Sequence, residues 1–247
     1  MLKFFRAALL AVVIPGTALA SDPLFSQAQR DEIVRVVREA LKADPSILRE
    51  AVVTLQADDE SREAAASRNA IKTNQKALFN NFGDPEAGNP NGDVTVVEFY
   101  DPRCPYCRKM LPGIEAMLQK DHGIRLVYKD IPVLGEASAL ESKAILAAQK
   151  QGAYLKMQTA LMTDPAQPTP MLVMEKARGL GLDALKLNTD INSTSIRDRI
   201  HANLELSRVM KVSGTPTFII GDTVIPGMAD IAQLQAAIAE ARKHAEK

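Results

Sequence analysis

Cys104 and Cys107 are the two cysteines of this 247-residue chain, and both sit in the stretch EFYDPRCPYCRKM, residues 98–110. Four chemistries suit two thiols at that spacing. The first is a structural disulfide. Closing so small a loop stabilises a chain by about 2 kcal/mol. Helical positions i and i+3 hold their Cβ atoms about 5–6 Å apart, whereas a relaxed disulfide wants about 3.5–4.5 Å. Such a bond is a poor staple and easily reduced. The second is half a zinc site. Structural zinc takes four ligands, and His122, His201 and His244 are scattered without a ligand spacing. The third is capture of copper(I) by two thiolates, although the nine methionines form no copper-type cluster. The fourth is thiol–disulfide exchange.

Local chemistry supports exchange. A β-rich run leads to Cys104, and Pro105 opens a helical pattern. Proline favours the first helical position, which makes Cys104 the N-cap. The partial positive charge of a helix N-terminus stabilises a thiolate, and cysteines placed there are acidic nucleophiles. Cys107 lies about one turn inside and is the natural resolving thiol. Arg103, Arg108 and Lys109 oppose the helix dipole, so they are expected to hold an anion, the thiolate itself. Glu98 interrupts VTVVEF, which otherwise reads as a buried central strand. A buried carboxyl binds its proton tightly, and Glu98 is positioned by sequence to relay a proton to and from Cys107. The alternative for Glu98 is an exposed position on a half-solvated strand.

The elements that must position these residues follow from pattern. VTVVEFY (94–100) and IRLVYKDI (124–131) read as strands flanking a helix from Cys104 to about Lys120, broken or kinked at Pro112. Residues 136–210 read as mostly helical. TPTFIIG (215–221) and TVIPG (223–227) read as two strands around a Gly-Asp turn, before a last helix. Upstream, residues 25–43 form an amphipathic pattern through Ile33, Val34, Val37, Ala40 and Leu41. Asp44-Pro45 starts a second helix that carries Ile47, Leu48, Ala51, Val52 and Leu55. These two helices either dock on the rest of the chain or pair with copies of themselves as a dimer or trimer. Residues 58–76 are helix-prone but polar all round, the signature of an exposed connector, and GDPEAGNPNGD (83–93) reads as a turn-rich boundary.

The first 20 residues combine Lys3 and Arg6, an apolar run and a small-residue site at Ala18–Ala20. This is the pattern of a secretory signal peptide, cleaved after Ala20. Export places the chain in an oxidising compartment. Thirty basic residues balance thirty acidic ones, which argues against a nucleic-acid partner.

EFYDPRCPYCRKM, followed about 110 residues on by SGTPTFIIG, resembles the thioredoxin-fold proteins of the DsbA type with a helical insertion. The likeness covers roughly residues 78–247. LKADPSILREAVVTLQ, upstream of DPEAGNPNGDVTVVEFYD, is similar to the exported group that holds the ScsC proteins and Com1-type antigens. The resemblance implies an α/β thioredoxin fold with a helical insertion at about 136–210, in a domain spanning 82–247. An N-terminal helical segment, 21–81, would then serve oligomerisation and linkage. It also implies Cys104 as attacking nucleophile, Cys107 as resolving cysteine, and the two as a redox-active disulfide. Glu98 would be the buried acid. Pro105, Tyr106, Thr215 and Pro216 would meet substrate, with a cis peptide before Pro216. Implied partners are exported protein thiols and disulfides in the periplasm and a membrane redox protein, with no cofactor and no metal. One departure stands out. Tyr106 occupies the place where strongly oxidising DsbA proteins carry His, and a residue without positive charge stabilises the reduced form less. A less oxidising, isomerase-type couple is expected, with a monomeric dithiol oxidase or a copper(I)-binding tolerance protein as alternatives.

Overall fold

The computed structural model describes residues 24–245. The expected signal peptide therefore lies outside the described residues. The chain forms two compact units that divide after Asp59.

The first unit holds helix α1 (Gln27–Ala43) and the start of α2 (Ser46–Thr73). Ser26 caps α1 in a capping box: its hydroxyl accepts from the Gln29 amide, and the Gln29 side chain accepts from the Ser26 amide. The Asp44 carboxylate accepts from the Ser46 amide at 3.0 Å and starts α2. No residue of α1 is buried. Ile33, Val34, Val37, Leu41 and Leu48 line an open apolar groove of about 500 Å³.

The second unit begins at Glu60, so residues 60–81 belong with the sheet-bearing unit. The end of α2 is not the wholly exposed connector that its polar sequence predicts. Ile71 is buried, as is Leu78 of α3 (Gln75–Phe79), and both pack on the sheet with Val97, Phe99 and Val127. Two apolar side chains separated by a helix break are too few to register as a periodic face.

The sheet has five strands in the order β1-β3-β2-β4-β5. They are β1 (Glu86–Gly88), β2 (Val94–Tyr100), β3 (Ile124–Asp130), β4 (Thr217–Ile220) and β5 (Thr223–Pro226). β2 and β3 are parallel and the other pairs antiparallel. β1 falls inside the stretch read as turns, because Glu-Ala-Gly offers no alternation. Its Gly88 has φ of 76°, and a Cβ there would lie 2.4 Å from the Ile124 carbonyl oxygen, so only glycine fits.

Side chains alternate across the central strands. Val96, Tyr100, Leu126 and Tyr128 face the larger core, and Val97, Phe99, Val127 and Ile131 face the smaller one. Helix α4 (Pro105–Lys120) buries Cys107, Met110, Leu111, Ile114 and Met117 in the larger core and runs on through Pro112. Between β3 and β4 lie α5 (Glu136–Gln149), α6 (Tyr154–Met162), α7 (Pro170–Gly179), α8 (Ala184–Ile191) and α9 (Thr194–Val209); α10 (Ile231–Ala245) follows the sheet. This is a thioredoxin fold with a helical insertion. Helix α9 ends with the Val212 amide bonded to the Ser207 carbonyl at 2.9 Å, which puts Lys211 in left-handed backbone at φ of 54°. Among the described residues, no helix is long and apolar enough to cross a membrane.

Candidate active site

β2 delivers the chain to the cysteine segment, and Asp101 turns it. Asp101 is fully buried. Its backbone carbonyl accepts from the Cys104 amide at 3.0 Å, and its carboxylate accepts from the Arg103 amide at 2.7 Å. The other carboxylate oxygen accepts from the Val133 and Leu134 amides at 2.8 and 3.0 Å. One acid thus fixes the nucleophile segment against the loop after β3. The sequence reading missed it, although an Asp three residues before a helix N-cap is a turn signal.

Cys104 is the N-cap of α4, with extended backbone, and Pro105 opens the helix. Its side chain makes no cap bond. The Sγ donates instead to the Thr215 carbonyl at 3.1 Å, across 111 residues of sequence. The Thr215–Pro216 peptide is cis and Pro216 is buried. Cys104 and Cys107 are free thiols, 4% and 1% exposed. Pro105 and Tyr106 face solvent. Hence Cys104, Pro105, Tyr106, Thr215 and Pro216 come together at one end of the sheet.

Glu98 is 3% exposed, on β2 opposite Tyr128 and Phe218. Burial and the nearby Asp130 carboxylate push it from 4.5 up to about 8. Burial, then the charge of Glu98, pushes the Cys107 thiol up as well. Both groups are therefore protonated in neutral water. Behind them Asp130, raised to about 7 by burial, accepts from the Tyr100 and Tyr154 hydroxyls, each at 2.8 Å.

The arginines beside the cysteines do not serve as the sequence reading expects. Arg108 Nη2 reaches Glu141 Oε2 at 3.3 Å and the Leu161 carbonyl at 3.2 Å. Its Nη1 donates to the Asp164 carbonyl at 2.8 Å and its Nε to the Pro102 carbonyl at 2.7 Å. Arg103 Nη1 lies 3.3 Å from Glu141 Oε1 and 3.1 Å from the Ala166 carbonyl. Both guanidiniums are spent on fastening the cysteine segment to the helical insertion, with buried Glu141 of α5 as the counter-charge. Burial nonetheless pushes Glu141 up to about 7, against the pull of both arginines. Lys109 is exposed. Among the described residues, no group of three or more His, Cys, Asp or Glu could hold a metal ion.

Comparison with known proteins matches residues 80–240 to the thioredoxin family described as "Thioredoxin". The chain belongs to the thioredoxin family. Residues 29–65 match the domain described as "Copper resistance protein ScsC N-terminal domain". A thioredoxin-like oxidoreductase from Silicibacter pomeroyi DSS-3 is 39% identical, with a TM-score of 0.67, over 69% of this chain and 98% of that one. A linker-deleted ScsC of Proteus mirabilis is 28% identical, with a TM-score of 0.66, over 90% and 98%. The thiol:disulfide interchange protein DsbA of Burkholderia cepacia is 27% identical, over 53% of this chain and 64% of its own length. The chain also spans about a quarter of the length of the Na(+)/H(+) antiporter NhaA 3 of Salinispora tropica, at 28% identity. Within the thioredoxin family it is thus similar to thiol–disulfide oxidoreductases of the DsbA-like and ScsC-type kinds.

Proposed function

We propose that this thioredoxin-family protein is an exported disulfide isomerase that acts on periplasmic protein substrates. The observation that carries the reading is the Cys104 sulfur at the N-cap of α4, 3.1 Å from the Thr215 carbonyl, with Cys107 buried one turn behind. In this reading the Cys104 thiolate attacks a substrate disulfide, and a Cys104–substrate mixed disulfide forms as one substrate sulfur leaves as thiolate. Cys107 or a second substrate thiol then resolves it. Glu98 accepts the Cys107 proton as that sulfur attacks and returns it when the pair is reduced. An extended substrate lies along Thr215–Pro216, with Pro105 and Tyr106 as the exposed contact. A membrane redox protein keeps the pair in its working state.

Export rests on the charged start and apolar run of residues 1–20, with cleavage after Ala20. Assembly through the N-terminal helices, as a dimer or trimer, rests on exposed Ile33, Val34, Val37, Leu48 and Val52, which no single pair of helices buries. Two copies of the active site on one particle would let one hold a substrate thiol while the other reshuffles its disulfide. Reactivation of scrambled ribonuclease by the chain from Ser21, beside a chain that starts at Glu60, tests the reading. Activity that requires residues 21–59 is the expected result. Equal activity from both removes the role of assembly, and none from either removes the isomerase.

A second reading draws on the copper resistance domain matched at 29–65. That stretch has neither Cys nor His, so copper(I) would be held by the Cys104–Cys107 dithiol. Copper(I) titration of the reduced chain against Cys104→Ser separates this from exchange chemistry.

A further inference from the structure

Two buried carboxyls, not one, lie behind Cys107. Parallel pairing of β2 and β3 sets Glu98 beside Tyr128 and Tyr100 beside Asp130. Glu98 and Asp130 therefore share one face of adjacent strands as diagonal neighbours, roughly 7–8 Å apart. Asp130 is fully buried. Its two oxygens touch the Tyr100 and Tyr154 hydroxyls at 2.8 Å each, and those hydroxyls lie 2.7 Å from one another.

That closed ring has a proton count. Three oxygen–oxygen contacts need three protons, and two tyrosines supply two. With Asp130 ionised, one contact at hydrogen-bond distance sets lone pair against lone pair. With Asp130 protonated, every contact carries a proton. The surroundings point the same way. β3 contributes Tyr128 and α4 contributes Cys107 and Glu115. α6 contributes Tyr154 and Gln158. α9 contributes Arg199, and Asn203, which donates to the Asp130 backbone carbonyl at 3.3 Å. β4 places apolar Phe218 opposite Glu98. The cation nearest in effect, Arg199, is committed to Asp84 at 2.7 Å. Tyr154 also lines a surface pocket with Pro85, Gly152 and Lys156.

We propose that Asp130, closed in a ring with Tyr100 and Tyr154, is the second proton store of the redox site and sets the pH at which Glu98 can exchange its own proton. The proposal rests on the reading of Glu98 as the proton carrier of Cys107. In resolution, Cys107 gives its proton to the Glu98 carboxylate, and the Cys107 sulfur attacks Cys104. The Cys104–Cys107 bond forms, the bond from Cys104 to substrate breaks, and the substrate sulfur leaves with the electron pair. Disulfide opening reverses each step, and Glu98 protonates the released Cys107 thiolate. While Asp130 keeps its proton the buried face carries at most one negative charge as Glu98 cycles, and once Asp130 ionises its charge opposes the ionisation of Glu98. Above neutral pH Asp130 ionises and the two acids titrate as a pair. Asp130 is thus a positioning residue, acting on Cys107 through Glu98.

The test is infrared titration of the buried carboxyls in the full chain, read beside the pH profile of Cys104–Cys107 closure. The wild type should show three protonated buried carboxyls at mildly acidic pH, those of Glu98, Asp130 and Glu141, lost in steps near and above neutrality. In D130N those of Glu98 and Glu141 remain, and the Glu98-dependent step moves to lower pH by about 1–2 pH units, the effect of removing one charge at that separation. An unmoved midpoint in folded D130N overturns the proposal. If D130N does not fold, E98Q decides. Two carboxyl bands, those of Asp130 and Glu141, should persist towards neutral pH, and the presence of only the one that Glu141→Gln removes overturns the proposal. E98Q also separates the two ideas. Unchanged closure kinetics in E98Q sink the carrier reading itself, whereas slow closure in E98Q with an unmoved D130N sinks the second store alone.

Discussion

Glu98→Gln should make this protein more stable and slower at once. The carboxyl titrates near 4.5 when exposed and near 8 in the fold, driven by burial and by Asp130. A raised acid contributes its full stability below the unfolded value and loses it as pH rises through the folded one. Each pH unit across that window costs about 1.4 kcal/mol, so holding Glu98 in the core costs about 5 kcal/mol by pH 8. The glutamine variant has no such window. It carries a fixed penalty of about 1–3 kcal/mol for a buried amide without a partner, the same at every pH. Urea unfolding of reduced wild type and variant should therefore give curves that cross between about pH 5 and pH 7 and separate steadily towards pH 8, with the variant ahead. Closure of the Cys104–Cys107 bond should meanwhile slow by a factor on the order of 100, the lower range for a positioned proton carrier. Stability curves that run parallel from pH 5 to 8 would refute the reasoning, because they would mean that Glu98 ionises in the fold as freely as in the unfolded chain.

Other outcomes follow from the same geometry. Glu141→Gln removes the counter-charge of Arg103 and Arg108, so stability should fall by about 1–3 kcal/mol. The two uncancelled guanidiniums beside the cysteines should also make the couple more oxidising, read by equilibration with glutathione; a less oxidising variant would contradict the clamp. Lys211→Gly relieves a left-handed residue and should raise stability by roughly 1 kcal/mol, seen as a higher urea midpoint at unchanged slope. Cys107→Ser should accumulate a Cys104–substrate mixed disulfide on non-reducing gels, and Cys104→Ser none. Adduct formation through Cys107 in the second variant would reverse the assigned roles.

The strands at 94–100 and 124–130 and the helix from Pro105 were legible because β-branched runs and a proline at the first helical position are local signals. The burial of Glu98 was legible for the same reason, as one charge in an apolar strand. What was not legible depends on distance along the chain. Arg103 and Arg108 find Glu141 across 38 and 33 residues, and nothing near the cysteines shows that an acid on α5 will cancel them. Asp130 carries no local signal within IRLVYKDI, since its tyrosine partners come from β2 and, 24 residues downstream, from α6. Strand β1 is three residues long and escapes any periodic test.

The bond from Cys104 to the Thr215 carbonyl also imposes an order of assembly. A ribosome releases both thiols more than a hundred residues before the acceptor that shelters one of them. Until β4 inserts beside β2, the growing chain carries a bare pair without the Thr215 carbonyl that accepts from Cys104. Because this chain holds no third cysteine, the pair has only itself or a foreign sulfur to react with during that interval, so intramolecular mispairing cannot interrupt folding.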